Sequence, residues 1–332
     1  MASVLCTLAL PEPGATMLGS KTEVTVLGRI PEHDELCTAL GGATDVLCPQ
    51  LRDNVDAAVL DCGLPRLRAV CVYAVGYNNV DVDAATARGI VVANTPGVLT
   101  DATADCALGL MIAAARRICE GDAEMRAGRF SGWEPDYLLG LDLGDALLGI
   151  VGFGRIGQAL ARRALACSMR VAYVPHGDGP RVDDDLVGRV ETMSFDRMLD
   201  EADVISLHVP LNERTRHLIG EAELRRMKPS AILVNTARGP VIDERVLVRA
   251  LREGWIAGAG LDVYEDEPAL APGLAECRNA VLAPHLGSAT VRTRAAMAEL
   301  CAANALTALR GQIPAHCVNP DAWAHKSPPP IV

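Results

Sequence analysis

Aromatic side chains are scarce in this sequence, 3% of 332 residues, and basic ones are outnumbered, 31 lysines and arginines against 42 aspartates and glutamates. The second shortage excludes a sequence-independent nucleic-acid binder, whose affinity comes from clustered Lys and Arg against phosphates. The formal net charge is −11 and no basic tract occurs. Long apolar runs are missing as well. The longest, Cys106 to Ala115, meets Arg116 and Arg117 and falls well short of the roughly 20 residues a membrane span requires. No basic region precedes Ser3-Val4-Leu5-Cys6, so no secretory signal is expected there. The expectation is a cytoplasmic protein with neither nucleic acid nor membrane as partner.

Also lacking is any C-x-x-C pair. Eleven cysteines occur, but the number is odd and the spacing irregular, which argues against a disulfide framework and against a zinc or redox motif. They are expected as small buried hydrophobes in a reducing compartment. The pair His316-Cys317 has no further ligand close by, and neighbours in sequence seldom face one site, so no metal is expected.

What is present is a chain longer than one core usually needs, which predicts two domains of about 100–200 residues each. Half of it is apolar, and glycine and alanine recur throughout, which suits close packing of helices on sheets. Short apolar β-type runs alternate with helix-length amphipathic segments, the pattern of parallel sheets wrapped by helices. The first series of predicted strands is Ser3–Leu8, Val24–Leu27, Ala57–Leu60, Ala69–Tyr73 and Ile90–Ala93. A second comprises Leu147–Val151, Arg170–Val174, Val204–Leu207, Ile232–Asn235, Ile256–Asp262 and Ala280–Ala283. Two sheets are implied. Between them, Asp101 to Arg117 has apolar residues at helical spacing on more than one face and is expected to be largely buried, in interdomain packing or a dimer contact. Ser327-Pro328-Pro329-Pro330 predicts a loose tail.

The strand Leu147–Val151 runs into Gly152-Phe153-Gly154-Arg155-Ile156-Gly157, followed by a helix from Gln158 to Ala166. Strand, G-x-G-x-x-G and helix together predict a dinucleotide site, with Gly152 at the tight turn, Gly154 where backbone approaches a pyrophosphate and Gly157 where helix packs on strand. An acid that accepts from the adenosine ribose is expected about 20 residues further on, yet the chain there reads Pro175-His176-Gly177. With no carboxylate to repel a 2′-phosphate, and with His176, Arg155 and Arg181 as candidate partners for it, the pattern leans to NADP(H). Asp178 leaves NAD open.

Residues beyond the carboxyl ends of strands are where ligands of open α/β sheets bind. Those positions hold Val75-Gly76, Thr236-Ala237-Arg238-Gly239, Glu265-Asp266-Glu267-Pro268 and Pro284-His285-Leu286-Gly287-Ser288. An amide pair, a guanidinium, carboxylates and an imidazole are thereby candidates for one cleft.

With these motifs the chain resembles the D-isomer-specific 2-hydroxyacid dehydrogenases, most closely the glyoxylate/hydroxypyruvate reductase branch, from Val4 to about Asn319. The stretches that carry the resemblance are Ala74 to Asp81, Asn94 to Asp105, the glycine motif, Asn235 to Gly239, Ala259-Gly260-Leu261-Asp262-Val263 with Glu267-Pro268, and Pro284 to Ser288. The resemblance implies two Rossmann-like α/β domains with parallel sheets. A nucleotide-binding domain, 99–288, would be inserted into a flavodoxin-like substrate domain, 1–98 with 289–319, before a flexible tail, 320–332. The cleft between them would hold substrate and nicotinamide. The family's catalytic residues fall on Arg238, Glu267 and His285. Arg238 would clamp the substrate carboxylate and polarise its carbonyl, a bidentate task for which lysine is less suited. His285 would give a proton to the carbonyl oxygen as hydride arrives, and take one in reverse. Glu267 would favour the imidazolium and fix its orientation.

By the same resemblance Val75 and Gly76 offer amides to the substrate, and Asp262 accepts from the nicotinamide carboxamide. The cofactor set would comprise Thr103, Gly152, Gly154, Arg155, Ile156, Gly157, Pro175, His176, Val209, Pro210, Thr236, Ala237, Arg238, Asp262, His285 and Gly287. His208 is read as core or loop. The segment Gly132-Trp133-Glu134-Pro135-Asp136-Tyr137-Leu138-Leu139-Gly140 resembles one that shapes the pocket of glyoxylate and hydroxypyruvate reductases, partly across a dimer, and marks Tyr137 as a substrate contact. A homodimer acting on a small 2-keto or 2-hydroxy acid is expected. D-lactate and 3-phosphoglycerate dehydrogenases are the near alternatives, the latter weakened because no regulatory domain follows the core. A dinucleotide-sensing corepressor is the alternative of another class.

Overall fold

The structure, a computed structural model, describes residues 1–175 and 181–325. The chain divides into a terminal unit, Met1–Leu99 with the chain from Thr290 onward, and an inserted unit, Thr100–Ala289. Each has its own parallel sheet. Among the described residues no helix is long and apolar enough to cross a membrane, and all eleven cysteines are free thiols.

In the terminal unit the strands are β1 (Ser3–Cys6), β2 (Glu23–Val26), β3 (Val46–Cys48), β4 (Ala69–Cys71) and β5 (Val91–Ala93), in the order β2-β1-β3-β4-β5. That is the flavodoxin-like order. The inserted unit has β6 (Leu147–Val151), β7 (Arg170–Val174), β8 (Glu191–Thr192), β9 (Val204–Leu207), β10 (Ile232–Asn235), β11 (Gly258–Leu261) and β12 (Ala280–Leu282). Their order, β12-β11-β10-β9-β6-β7-β8, reverses direction between β6 and β9, as in dinucleotide-binding sheets. Central strands such as LLGIV and ILVN are buried at every position. Continuous apolar runs are what a strand covered by helices on both faces requires.

Several elements differ from the sequence expectation, among them the unpredicted strands β3 and β8. Ala57–Leu60 is helical, within Ala57–Cys62, because the Asp56 carboxylate caps the turn by accepting from the Val59 N–H at 3.0 Å. A four-residue apolar run does not distinguish strand from helix by period, and the cap decides it. The strand taken from it is β3, whose Val46, Leu47 and Cys48 stand opposite Val4, Leu5 and Cys6 of β1. Residues 320–325 also take part in the fold, where a tail was expected. Buried Asn319 accepts from the Val92 N–H and donates to Ile90 O and Thr86 Oγ1, and Ala322 is fully buried at the start of a helical turn, Ala322–His325. The proline run 328–330 lies outside the described residues.

The apolar segment after Leu99 forms the helix Thr100–Ala115, with Thr103, Ala104, Ala107, Leu110, Met111, Ala114 and Ala115 buried. It packs on β10, β11 and the helix Arg155–Ala166 within the inserted unit.

Candidate active site

Arg238 follows β10, Glu267 follows β11 and His285 follows β12, three strands adjacent in the inserted sheet. All three residues therefore stand beyond carboxyl ends of one parallel sheet, where such folds bind ligands.

Arg238 is held by its own turn. Buried Asn235 donates through Nδ2 to Arg238 O (2.9 Å) and accepts through Oδ1 from the Ala237 N–H (3.0 Å), so one side chain shapes the whole step from strand to loop. The guanidinium donates to Ala237 O at 2.6 Å, and among the described residues it forms no ion pair. Burial pulls its pKa down, with the Glu267 charge opposing, but an arginine stays cationic at neutral pH. A largely desolvated cation without a carboxylate partner is a receptor for an anionic ligand.

Glu267 Oε2 lies 3.0 Å from His285 Nδ1, and its other oxygen accepts from the Tyr264 N–H at 3.0 Å. Burial opposes ionisation of Glu267. The His285 hydrogen bond and charge, the Tyr264 N–H and the Arg238 charge outweigh it and hold the carboxyl below its ordinary range. With Nδ1 engaged by a carboxylate, Nε2 is the ring atom left for proton exchange. The His285 backbone has φ +55°, a left-handed conformation rare outside glycine. Asp262 secures that turn, accepting from the Leu286 N–H (2.6 Å) and the Gly287 N–H (2.7 Å). Burial pushes the Asp262 pKa up, against those two N–H groups. Thr103 closes the arrangement from the helix below, its hydroxyl donating to Gly287 O at 3.1 Å.

The glycine motif lies at the mouth of β6. Gly152 has φ +98°, and a Cβ there would stand 2.6 Å from His208 backbone. One at Gly157 would stand 2.4 Å from Gly152 O, so strand, loop and helix meet at glycine-only distances. A Cβ at Gly154, by contrast, would meet nothing within 4 Å. Gly154 is the N-cap of the helix Arg155–Ala166, and open space before a helix N-terminus is where a phosphate fits. Thr236 adds a second sign of fit, since its buried Oγ1 has no hydrogen-bond partner. Val209 and Pro210 line a cavity of about 510 Å³ with Asn212, Glu213, Arg214 and Thr215. These residues suit a dinucleotide.

Of the residues bearing on the 2′-phosphate, Pro175 is exposed just after β7 and Arg155 is exposed with no ion pair among the described residues. His176 and Asp178 lie outside the described residues. Arg181 is paired with Asp184. His208, read as core or loop, bonds through Nε2 to Ser206 Oγ at 2.8 Å, and burial pushes its pKa down to about 4. It is neutral at physiological pH.

Val75 and Gly76 belong to the terminal unit, in the loop after β4. Val75 O accepts from Asn94 Nδ2 at 2.7 Å, whereas neither amide N–H has a hydrogen-bond partner among the described residues. Tyr137 lies in an exposed stretch of the inserted unit, its ring centroid 6.1 Å from that of Phe130. Among the described residues no hydrogen bond ties its side chain to Arg238, Glu267 or His285.

The three residues that sequence reading singled out stand at the ends of adjacent strands, and the side chains that hold them went unmarked. Asn235 sat inside a motif without a role, and nothing in local pattern marks Glu244, whose partners Glu265 and Ala271 lie on another segment.

A family model described as "D-isomer specific 2-hydroxyacid dehydrogenase, NAD binding domain" matches residues 108–287. The chain is 46% identical to a glyoxylate reductase of Thermococcus litoralis, over 98% of this chain and 99% of that one. It superposes on a crystal structure of the TT0316 protein from Thermus thermophilus with TM-score 0.88 and 44% identity, covering 95% of this chain and 99% of that one. An NADPH-dependent glyoxylate/hydroxypyruvate reductase from Sinorhizobium meliloti aligns with TM-score 0.82 and 31% identity, over 96% and 98% of the two chains. With a sheet order, a glycine motif and a family match that agree, the chain belongs to the D-isomer-specific 2-hydroxyacid dehydrogenases, NAD(P)-dependent oxidoreductases of small 2-keto and 2-hydroxy acids.

Proposed function

We propose that this enzyme reduces glyoxylate and hydroxypyruvate, with NADPH preferred over NADH. The observation that carries the chemistry is the Glu267–His285 pair at 3.0 Å, beyond the ends of β11 and β12 and beside the β10 end that Arg238 follows. A nicotinamide held by these residues would supply the hydride. Arg238 binds the substrate carboxylate and draws charge toward the carbonyl oxygen, a role for which a cation with no internal ion pair is available. His285 gives its Nε2 proton to that oxygen as negative charge develops there. Glu267 stays ionised, keeps the ring turned and stabilises the imidazolium before transfer. The free amides of Val75 and Gly76 are assigned to the substrate carboxylate, and Tyr137 to the pocket wall.

Asp262 is assigned to the nicotinamide carboxamide, through lone pairs not used by Leu286 and Gly287. The cofactor's remaining partners are those of the glycine motif with Thr103, Pro175, His176, Val209, Pro210, Thr236, Ala237 and Gly287. Exposed Arg155, with no ion pair among the described residues, supports the preference for a 2′-phosphate, as does a sequence with no acid directly after β7.

The substrate choice rests on similarity to the Thermococcus glyoxylate reductase and the Sinorhizobium glyoxylate/hydroxypyruvate reductase. A homodimer is part of the reading. Ile118, Met125, Phe130, Trp133, Tyr137 and Leu139 are exposed apolar side chains within one stretch of chain, which supports an interface there. A cytoplasmic location accompanies it, from eleven free thiols. The test is a panel of NADPH and NADH with glyoxylate, hydroxypyruvate and pyruvate, followed by cofactor absorbance. Highest kcat/KM is expected for glyoxylate or hydroxypyruvate with NADPH. Preference for pyruvate overturns the substrate, preference for NADH the cofactor, and no turnover with any 2-keto acid the whole reading.

A further inference from the structure

Glu244 is 3% exposed, an acid in a place where ionisable side chains are rarely found. It is the first residue of the helix Glu244–Glu253. Its two carboxylate oxygens reach different points of one loop: Oε1 accepts from the Glu265 N–H at 2.9 Å and Oε2 from the Ala271 N–H at 3.3 Å. Glu267 lies between those points. The grip is returned by Glu265, whose Oε2 accepts from the Glu244 N–H at 3.5 Å while Oε1 bonds His217 Nε2 at 2.6 Å. Arg238 is joined to the same loop by its neighbour, because Gly239 presses so closely on the Tyr264–Glu265 peptide that a Cβ would fall 1.8 Å from Tyr264 C.

Such a carboxylate is costly. Burial pushes its pKa up, and the charges of Glu265 and Asp266 push the same way. A structure that needed only a helix start had cheaper residues to hand, since Asp243 already caps this helix by accepting from the Val246 N–H. Two backbone N–H donors several residues apart need two acceptor oxygens, and only a carboxylate brings both from one side chain. An amide would turn an NH₂ toward one of the two N–H groups.

We propose that Glu244 is a positioning residue that clamps both ends of the Glu265–Ala271 loop and thereby sets the Glu267 carboxylate against His285. This rests on the reading of Glu267 and His285 as the proton-transfer pair. Glu244 touches neither substrate nor cofactor, and it acts through Glu267. The charged groups that bear on Glu267 are His285 and Arg238, and those that bear on Glu244 are Glu265 and Asp266.

The experiment is a cycle of E244Q, E267Q and the double variant, with kcat, KM for both substrates and the pH profile of glyoxylate reduction measured on each. Cofactor binding and Tm are followed on the same samples. For E244Q, kcat is expected to fall between about tenfold and a hundredfold, the cost of misplacing a catalytic group by a fraction of an ångström to one ångström. KM for NADPH should stay within about twofold. The basic limb of the profile should move to lower pH, in the direction E267Q moves it. In the double variant the E244Q change should add nothing to the loss of E267Q, because it acts through that residue. E244D, which keeps the charge but shortens the reach, should show the same shift in smaller measure and stands in if E244Q does not fold. A profile unmoved in the folded Glu244 variant, or losses that multiply in the cycle, overturns the clamp while leaving the proton-transfer pair intact. If E267Q itself leaves the profile unmoved, pair and clamp fall together.

Discussion

Glu267 and His285, eighteen residues apart in sequence, share a 3.0 Å contact between Oε2 and Nδ1. The carboxyl is held below its ordinary range, since the hydrogen bonds and charges around it outweigh its burial. Replacing it by glutamine removes the charge that favours a protonated ring. On the proposed function reduction draws its proton from the ring, so rate should fall where the protonated form is depleted. E267Q should move that fall to lower pH and lower kcat by about a hundredfold, in the range of general acid–base effects. Stability has the opposite dependence. Because its folded value is depressed, Glu267 contributes stability that is present above its unfolded value and lost as pH falls through the folded one. Thermal unfolding of E267Q should therefore depend less steeply on pH on the acid side. Equal slopes for the two proteins would refute this.

Much of this was written in the sequence, and the part that was not has a physical reason. Strands β6, β9 and β10 lie where their apolar runs predict, because a strand covered on both faces is buried along its whole length. Ala57–Leu60 has an equally apolar run but lies behind an aspartate that caps a helix. There the deciding residue stood outside the run. The exposed pair Glu191–Thr192 offers no apolar pattern at all. At the candidate site, Arg238, Glu267 and His285 were singled out by their resemblance to the family's motifs, on positions that each follow a strand. Their supports were not, since the Glu244 contacts span 21 and 27 residues of chain. Such pairings are properties of the folded sheet, and no local period encodes them.

Arg238 sets stability against function. Its guanidinium is largely desolvated and has no ion pair among the described residues, so the fold bears the cost of a cation whose partner, on the proposed function, is the substrate. R238M should abolish turnover while leaving Tm equal to or above that of the parent. R238K keeps a charge but loses the planar fork, and its kcat/KM for glyoxylate should fall on the order of a hundredfold. Steady-state kinetics with a thermal melt on each variant checks both. A large drop in Tm for R238M would show that the guanidinium supports the fold.

Trp133, 83% exposed, is the most exposed of the apolar side chains between Ile118 and Leu139. If this stretch is the dimer contact, W133E places a charge in a desolvated interface. Sedimentation or light scattering should then show a monomer, or a dimer at least about tenfold weaker, the equivalent of roughly 1.4 kcal/mol. Unchanged mass across the accessible concentration range would assign the patch to something other than self-association.

The three glycines of the cofactor motif are not equivalent, and their differences give a sharp test. At Gly152 a methyl group would meet His208 backbone at 2.6 Å on a residue with φ +98°. Overpacking and a left-handed backbone each cost about 1–3 kcal/mol. G152A should therefore lower stability by several degrees in Tm or fail to fold. G157A should behave alike, because its Cβ would lie 2.4 Å from Gly152 O, a backbone atom that cannot step aside. At Gly154 the same methyl group meets nothing within 4 Å, and the backbone is in an extended conformation open to any L-residue. G154A should melt within about 1–2 °C of the parent, as a change of a few tenths of a kcal/mol would produce. Its cost should appear in KM for the cofactor, because the space its methyl group enters is the one a pyrophosphate is expected to fill. Three melts and three cofactor titrations separate packing from binding. A destabilised G154A, or one with unaltered cofactor affinity, would move the phosphate site away from this helix N-terminus.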